Sequence, residues 1–163
     1  MAFKKSIASA VTKANANSVW RKITVTSSHI KTATKLAITG AATGDLFINQ
    51  IVVKTDATGL AGGTNFLIGS TNAKGFTNIF VETVANLGAN ITKMLSSGHT
   101  TGDLTTGNPN PTVSANATVL EAGQNLWVDS SSADCTGAGL IDIYIEFIRM
   151  TDNADIQTVG SSV

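Results

Sequence analysis

The chain has little of the material on which disulfide-stabilised, membrane-spanning and coiled-coil proteins depend. Its 163 residues include one cysteine and two prolines, and 13% of them are charged, about half the usual share in globular domains. One cysteine cannot form a disulfide within the chain. No apolar run approaches the roughly 18 residues of a membrane span, and no heptad repeat is present. Because a chain of this length can bury a core without metal or disulfide, we expect one folded domain.

The residue types that catalysis uses are sparse and scattered. Cys135 has no second cysteine beside it, and His29 and His99 lie far apart in loop-like contexts, so neither a Cys-His nucleophile nor a His-x-His metal pair is indicated. The glycine-rich stretches lack the Lys-Ser/Thr ending of a phosphate-binding loop. Asp142 and Glu146 share one strand face, and we interpret them as solvated or paired with basic residues rather than as a glycosidase pair. The sequence therefore predicts no enzyme, no cofactor and no metal site.

Charge is divided between the two ends of a chain whose formal net charge is zero. The first 54 residues hold eight of the eleven basic residues and one acid, Asp45, so they carry +7 and the remainder carries −7. Two explanations are open. Either the opposite charges meet across the folded domain, or a basic N-terminal segment of one subunit lies on an acidic face of the next. The pI of 6.7 gives no reason to expect general binding to nucleic acid.

Residues 1–18 are predicted to form an arm that precedes the folded domain. Phe3, Ile7 and Val11 recur at four-residue spacing, which would place them on one face of a short helix. The apolar stretch is too short for a signal peptide, and such a helix is marginal alone and needs a partner surface. The candidate assembly residues in this arm and the following domain are Phe3, Lys4, Lys5, Ile7, Val11, Trp20 and Trp127.

From residue 19 onward the pattern is that of an all-β domain. Short alternating or apolar runs are separated by clusters of Gly, Asn, Asp and Ser, and no segment keeps a helical period. The eight predicted strands lie near residues 20–26, 35–39, 46–54, 65–69, 78–84, 112–120, 125–128 and 140–148. The loops between them favour antiparallel neighbours. Eight such strands form most simply a jelly-roll β-sandwich, with another Greek-key sandwich as the alternative.

The segments outside these strands complete the predicted domain map. Residues 91–111 are polar and contain three glycines and both prolines, so we expect a long surface loop that acts as a contact or tip region. The chain then divides into an arm at 1–18, a β-sandwich domain at 19–150 and a polar C-terminal tail at 151–163.

The closing half of the chain has a distinctive order of elements. A turn at residues 121–124 precedes a short strand at 126–128, a glycine-containing loop at 136–139 and a long final strand at 141–150, and glycine-punctuated strands run from 35 to 70. In this pattern, and in its composition, the chain resembles small structural proteins of tailed-phage virions, such as capsid decoration, head-fibre or tail components. Such proteins have jelly-roll folds, are usually multimeric, and have no catalytic residues to carry over.

The resemblance implies a virion structural protein that acts by self-assembly and by attachment to the capsid shell, as a decoration, minor or coat protein. Its expected partners are other copies of itself, in a trimer or larger homo-oligomer, and a major capsid or other virion protein. No specific nucleic acid and no membrane is expected. The alternative is a carbohydrate-binding module or adhesin-like tip domain, in which Trp20, Trp127 and Tyr144 stack on sugars and the loop at 98–111 contacts a glycan.

Overall fold

Antiparallel β-strands form almost all of the regular structure. The structure, a computed structural model, describes residues 18–72, 75–96, 102–103 and 119–158. The predicted arm lies outside these residues except for Ser18, which begins the first strand. Short 3₁₀ helices occupy Ser27–His29 and Val84–Asn86. The strands of the described residues are β1 (Ser18–Thr26), β2 (Leu36–Ala37), β3 (Thr39–Ala42), β4 (Leu46–Thr55), β5 (Ala61–Gly62), β6 (Asn65–Asn72), β7 (Gly75–Thr83), β8 (Thr92–Ser96), β9 (Gly102–Asp103), β10 (Val119–Leu120), β11 (Leu126–Ser131), β12 (Cys135–Thr136), β13 (Leu140–Arg149) and β14 (Ile156–Thr158).

Ten of the described strands form the two main sheets of a sandwich, and eight of these, four in each sheet, give its topology. The first sheet has the order β1-β13-β4-β8, with β9 beside β8 and β10 beside β4, and the second has the order β2-β11-β6-β7. If the four strands of each order are numbered one to eight along the chain, the first sheet has the order 1-8-3-6 and the second has the order 2-7-4-5. This is the strand order of a jelly roll. Shorter pairs join β12 to β5 and β14 to β3. The predicted fold class, an antiparallel β-sandwich of jelly-roll type, is confirmed.

The core lies between the two sheets and follows the alternation of their strands. In β13 the inward-facing, fully buried residues are Ile141, Ile143, Ile145 and Phe147. From the second sheet, Phe66 and Phe80 meet edge to face with ring centroids 6.1 Å apart. Each large apolar side chain buried in this way contributes about 1.5–3 kcal/mol to folding. β13, which lies between β1 and β4 in the first sheet, therefore supplies a large part of the core.

A β-bulge changes which residues of β4 face outward. Between Glu146 and Phe147 the register of β13 on β4 shifts, and the pairing skips Asn49. Because one extra residue reverses the alternation of a strand, Ile48 faces the core and Phe47 faces outward. Even with the bulge, β4 keeps apolar residues on its outward side, Phe47 and Val52.

The prediction of a long loop at 91–111 is wrong for residues 92–96. Thr92–Ser96 forms β8, which pairs with β4 at five successive positions. The strand was missed because Lys93, a charged residue, occupies an inward-facing position and is buried. A strand is recognised in a sequence by apolar residues at its inward positions, so a strand with a lysine at an inward position is not recognised.

The structure also differs from the predicted polar tail at 151–163. Ile156–Thr158 forms β14 and pairs with β3, and Ala154 and Ile156 are buried. The partner strand lies more than a hundred residues earlier in the chain, so no local pattern indicated this pairing.

Opposite charges from the two ends of the chain meet across the folded domain. The ion pairs that join them are Arg21 with Asp155, Lys22 with Asp142, Lys31 with Asp134, and Lys35 with Asp129. Each pair joins a basic residue from the first part of the chain to an acid from the last part. Exposed pairs of this kind contribute about 0.2–1 kcal/mol each, so they support the arrangement of the two ends without dominating the stability.

Asp56 stabilises the turn that follows β4. Its Oδ1 accepts hydrogen bonds from the backbone N–H groups of Thr58 (2.9 Å) and Gly59 (2.8 Å). Backbone hydrogen bonds from Gly59, Leu140 and Thr58 hold the pKa of Asp56 below its usual value. A carboxylate whose pKa is lowered by folding stabilises the protein above its unfolded pKa, and this contribution is lost as the pH falls through the folded pKa.

We therefore expect Asp56→Asn to be less stable than the parent at neutral pH. The difference should shrink as the pH falls below the ordinary aspartate pKa of about 3.9 and disappear below the lower pKa of Asp56 in the folded protein. Asparagine keeps an oxygen acceptor in the turn, so the comparison isolates the charge. Urea denaturation at a series of pH values measures the difference. A difference that is the same at neutral and acid pH would show that the charge of Asp56 contributes nothing.

Candidate assembly surface

The outward side of the first sheet carries four cross-strand rows. Counted from the end at which β1 begins, they are Ser18, Ile148, Phe47 and Val119; Trp20, Glu146 and Gln50; Lys22, Tyr144, Val52 and Met94; and Thr24, Asp142, Lys54 and Thr92. We call this side of the sheet the Trp20 face. Its first and third rows contain large apolar side chains, whereas the outer side of a solvated antiparallel sheet is usually polar. The face is therefore the candidate assembly surface.

Trp20 is the most prominent side chain of this face. It lies on β1, opposite Glu146, and is 48% exposed. Val119 in the first row is 37% exposed, and Met150, directly after β13, is 58% exposed. Large exposed apolar groups on one side of a sheet are typical of surfaces that bind a partner, and tryptophan contributes strongly when such a surface becomes buried.

The carboxylates of the Trp20 face are bound by neighbouring side chains. Glu146 accepts hydrogen bonds from Ser18 Oγ and Asn49 Nδ2, both at 2.6 Å. Asp142 accepts one from Thr24 Oγ1 at 2.6 Å, and its other oxygen lies 2.9 Å from Lys22 Nζ. Both carboxylates are thus hydrogen-bonded within the face, and Asp142 also has a countercharge in Lys22.

The electrostatics of Asp142 fit a structural role. Partial burial raises the pKa of this carboxyl, but the hydrogen bond from Thr24 and the ammonium of Lys22 outweigh burial, so the pKa lies below its usual value. The hydrogen bond to Asp142 in turn raises the pKa of Lys22. A general acid needs a carboxyl that stays protonated near neutral pH. Asp142 does not meet this requirement, which agrees with the interpretation of Asp142 as an ion-pair partner.

Trp127 lies on the other sheet and is covered. Leu126 and Val128 point into the core, which places Trp127 and Asp129 on the outer side of β11. The indole is 3% exposed, with Lys35 Nζ 3.6 Å above the ring centroid and 3.0 Å from Asp129 Oδ2. This buried ring does not present a face on which a sugar could stack.

The reactive residues singled out in the sequence show no catalytic arrangement. Cys135 is fully buried, and burial raises the pKa of its thiol, which disfavours the nucleophilic thiolate. His29 is exposed in the first 3₁₀ helix, and His99 lies outside the described residues. Within the described ranges no group of three or more His, Cys, Asp or Glu side chains could hold a metal ion.

A charged pair inside the sandwich was not predicted. Lys93 Nζ of β8 lies 3.8 Å from Glu82 Oε2 of β7, and the two side chains are 5% and 1% exposed. Glu82 Oε1 accepts further hydrogen bonds from Thr83 N (2.9 Å) and Asn86 Nδ2 (2.8 Å). Because β8 belongs to the first sheet and β7 to the second, this pair connects the two sheets through the core.

The predicted assembly residues do not form one cluster in the described part of the chain. Trp20 is exposed on the first sheet, and Trp127 is buried on the second. The remaining candidates, Phe3, Lys4, Lys5, Ile7 and Val11, lie outside the described residues. The contact loop predicted at 98–111 also lies outside them, apart from Gly102–Asp103. Their roles in assembly stay predictions.

Comparison with known proteins gives likenesses only among solved structures. No family model matches, and no curated protein matches. The chain is similar to a chain of the cyanophage Pam1 capsid asymmetric unit, with 11% identity, 81% of this chain and 84% of that chain covered, and a TM-score of 0.42. For the Triatoma virus empty capsid the identity is 10%, the coverages are 90% and 93%, and the TM-score is 0.35. For sacbrood virus of honeybee the identity is 9%, the match covers 90% of this chain and 74% of that chain, and the TM-score is 0.34.

The fold class of the chain follows from its own strand order. The two sheets define a jelly-roll β-sandwich protein, and likenesses at these identities and TM-scores add no argument about what it does. In the described part of the chain no helix is long and apolar enough to cross a membrane.

Proposed function

We propose that the chain is a non-enzymatic virion structural protein that acts by self-assembly and by attachment to a capsid shell, as a decoration, minor or coat protein. Its location is then the virion. The proposal is supported by the resemblance of the sequence to tailed-phage structural proteins. The structural observation that carries it is the Trp20 face, a partly apolar sheet face on a sandwich whose core is already complete without it.

The hydrogen bonds to the carboxylates of the Trp20 face favour its burial against a protein partner. Moving an unpaired charge out of water costs several kcal/mol, but Asp142 is held by Lys22 and Thr24, and Glu146 by Ser18 and Asn49. A partner can therefore cover the apolar rows while both carboxylates keep their hydrogen bonds. Protein interfaces commonly have this composition, with aromatic and apolar groups among satisfied polar groups.

The proposed partners are other copies of the chain, in a trimer or larger homo-oligomer, and a major capsid or other virion protein. The N-terminal arm provides the second contact. Its Phe3, Ile7 and Val11 would bind a neighbour, and Lys4 and Lys5 would add attraction to an acidic surface.

Deletion of residues 1–17 should leave a folded sandwich that no longer assembles. The deletion stops before β1, so the core and the pairing of β1 with β13 are kept. Light scattering coupled to size-exclusion chromatography measures the mass over a range of protein and salt concentrations, and thermal unfolding checks the fold. A truncated protein that assembles as the full chain does would contradict the role of the arm.

A carbohydrate-binding function is the second candidate. Trp20 and Tyr144 both lie on the Trp20 face, and exposed aromatic rings can stack on sugars. A glycan array probed with the parent and with Trp20→Ala separates the two functions. Binding that depends on Trp20 would favour the second candidate, and an array without signal would exclude it for the glycans tested.

A further inference from the structure

One corner of the Trp20 face combines exposed apolar groups with a rim of acids. The apolar part consists of Phe47, Val119, Ile148 and Met150, and we call it the Met150 corner. The first three form the row at the end of the sheet where β13 ends. Met150 follows β13 directly and is 58% exposed. This is the part of the face where apolar surface reaches the end of the sandwich.

The acidic rim comes from three loops that meet at the same end. Asp45 joins them, since its carbonyl accepts a hydrogen bond from Met150 N (3.0 Å) and its Oδ1 accepts one from Ala122 N (3.1 Å). The charged residues of the rim are Asp45, Glu121, Asp152, Asp155, Arg21 and Arg149, with a net charge of −2. A polar cleft of about 580 Å³ opens among them, lined by Arg149, Met150, Thr151, Asp152, Asn153 and Asp155.

The complementary chemistry is present at the start of the same chain. Residues 1–17 contain three lysines and no acid, and Phe3, Ile7 and Val11 recur every fourth residue. An apolar, basic segment matches an apolar corner with an acidic rim in both respects. We propose that the Met150 corner binds residues 1–17 of a second copy of this chain. The inference rests on the proposed function and deepens it by naming the surface that receives the arm.

The start of β1 favours binding of residues 1–17 to the Met150 corner of a second copy rather than to the corner of the same chain. Ser18 pairs with Ile148 and begins β1 in extended conformation, at the end of the sheet where the Met150 corner lies. Residues 1–17 contain neither glycine nor proline, the residues that most favour a tight reversal onto the same domain. Because the start of the arm and the receiving corner are adjacent, copies arranged around a symmetry axis at this corner can exchange arms in a closed ring.

Disulfide trapping between two populations tests the proposal. One population carries Ser6→Cys in the arm, and the other carries Ala122→Cys, an exposed position beside the rim. Cys135 is fully buried and stays in place. After mixing and mild oxidation we expect a covalent dimer of the two populations. Ala61→Cys, exposed on β5 at the opposite end of the sandwich, is the matched control and should give none.

Two results would overturn the proposal. In a chain that carries both Ser6→Cys and Ala122→Cys, a disulfide formed only within single chains would place the arm on its own corner. A dimer formed equally with Ala61→Cys would show contact without selectivity. If light scattering finds a discrete oligomer but no disulfide forms between the populations, the corner assignment fails and the assembly function stands. A monomer at every concentration overturns both the corner assignment and the self-assembly part of the proposed function.

The charge of the rim gives an independent readout. Asp152→Lys reverses a rim charge in the cleft, and we expect it to weaken assembly severalfold, with a smaller difference from the parent at high salt because screening removes the attraction. Ala133→Lys places a lysine at an exposed site of the opposite end, a charge change of +1 against +2 for Asp152→Lys, and should assemble like the parent. Equal weakening by both variants would contradict a specific role of the acidic rim.

Discussion

Replacement of Lys93 by methionine is expected to lower the free energy of unfolding by about 3–5 kcal/mol. The lysine and Glu82 are both buried between the sheets, with Nζ 3.8 Å from Oε2. Removal of the ammonium leaves the carboxylate in the core without its countercharge, and a buried charge without a counterion is among the most destabilising changes a core can undergo. Guanidinium unfolding followed by tryptophan fluorescence measures the loss.

A second substitution should recover most of this loss. In the double variant Lys93→Met and Glu82→Gln, neither side chain of the pair is charged, and the glutamine oxygen can still accept the hydrogen bonds from Thr83 and Asn86. Replacement of a buried ion pair by uncharged groups of similar volume is often close to neutral. The double-mutant cycle gives the coupling energy between the two positions. Strictly additive losses would show that the two side chains do not stabilise each other.

Gly139→Ala is the second substitution with a large expected effect, about 3 kcal/mol, at the upper part of the range for overpacked sites. Gly139 lies at the end of the sandwich opposite the Met150 corner, and a Cβ there would overlap the backbone of Gly59. Gly59 cannot move away, because it has a φ of +72° and packs against the backbone of Gly88 and Ala89. The Gly139 carbonyl also accepts a hydrogen bond from Ser27 N at 2.8 Å, so a shift of this loop disturbs the turn after β1.

Two other glycines provide matched controls for the same measurement. Gly123 has a φ of +86°, but the space that an added methyl group would occupy is open, so Gly123→Ala should cost about 1 kcal/mol from backbone conformation alone. Gly88 has open space and no positive φ, so Gly88→Ala should change stability little. Equal losses in all three variants would contradict the steric explanation for Gly139.

The fold class could be predicted because it depends on local alternation. In β13 every second residue is a large apolar side chain, and the structure buries these residues as the pattern predicts. β8 and β14 could not be predicted in the same way. One contains the inward-facing Lys93, whose burial depends on Glu82 of the other sheet. The other owes its conformation to β3, which is distant in the sequence.

The candidate surface was only partly predictable for a related reason. Alternation in the first strand separates Trp20 from Ile23 and Val25, but the apolar rows exist only after β1, β13, β4 and β8 are placed side by side, and that order is not contiguous in the sequence. The bulge at Asn49 then decides that Phe47 joins the outer face. For Trp127 the sequence failed in another way. Its outward position in a strand predicts exposure, but Lys35 covers the ring, and nothing in the sequence indicated that contact.

The pairing of β1 with β13 also determines when the sandwich can close during synthesis. Ser18 and Glu146 are separated by 128 residues, and Arg21 and Asp155 by 134. A ribosome makes β1 first among the described strands, and its partner strand follows more than a hundred residues later. Such non-local closure is slow compared with local pairing. Until β13 is complete, the nascent chain presents β1 and Trp20 without their sheet neighbour, so an interrupted chain offers an unpaired strand edge to other chains.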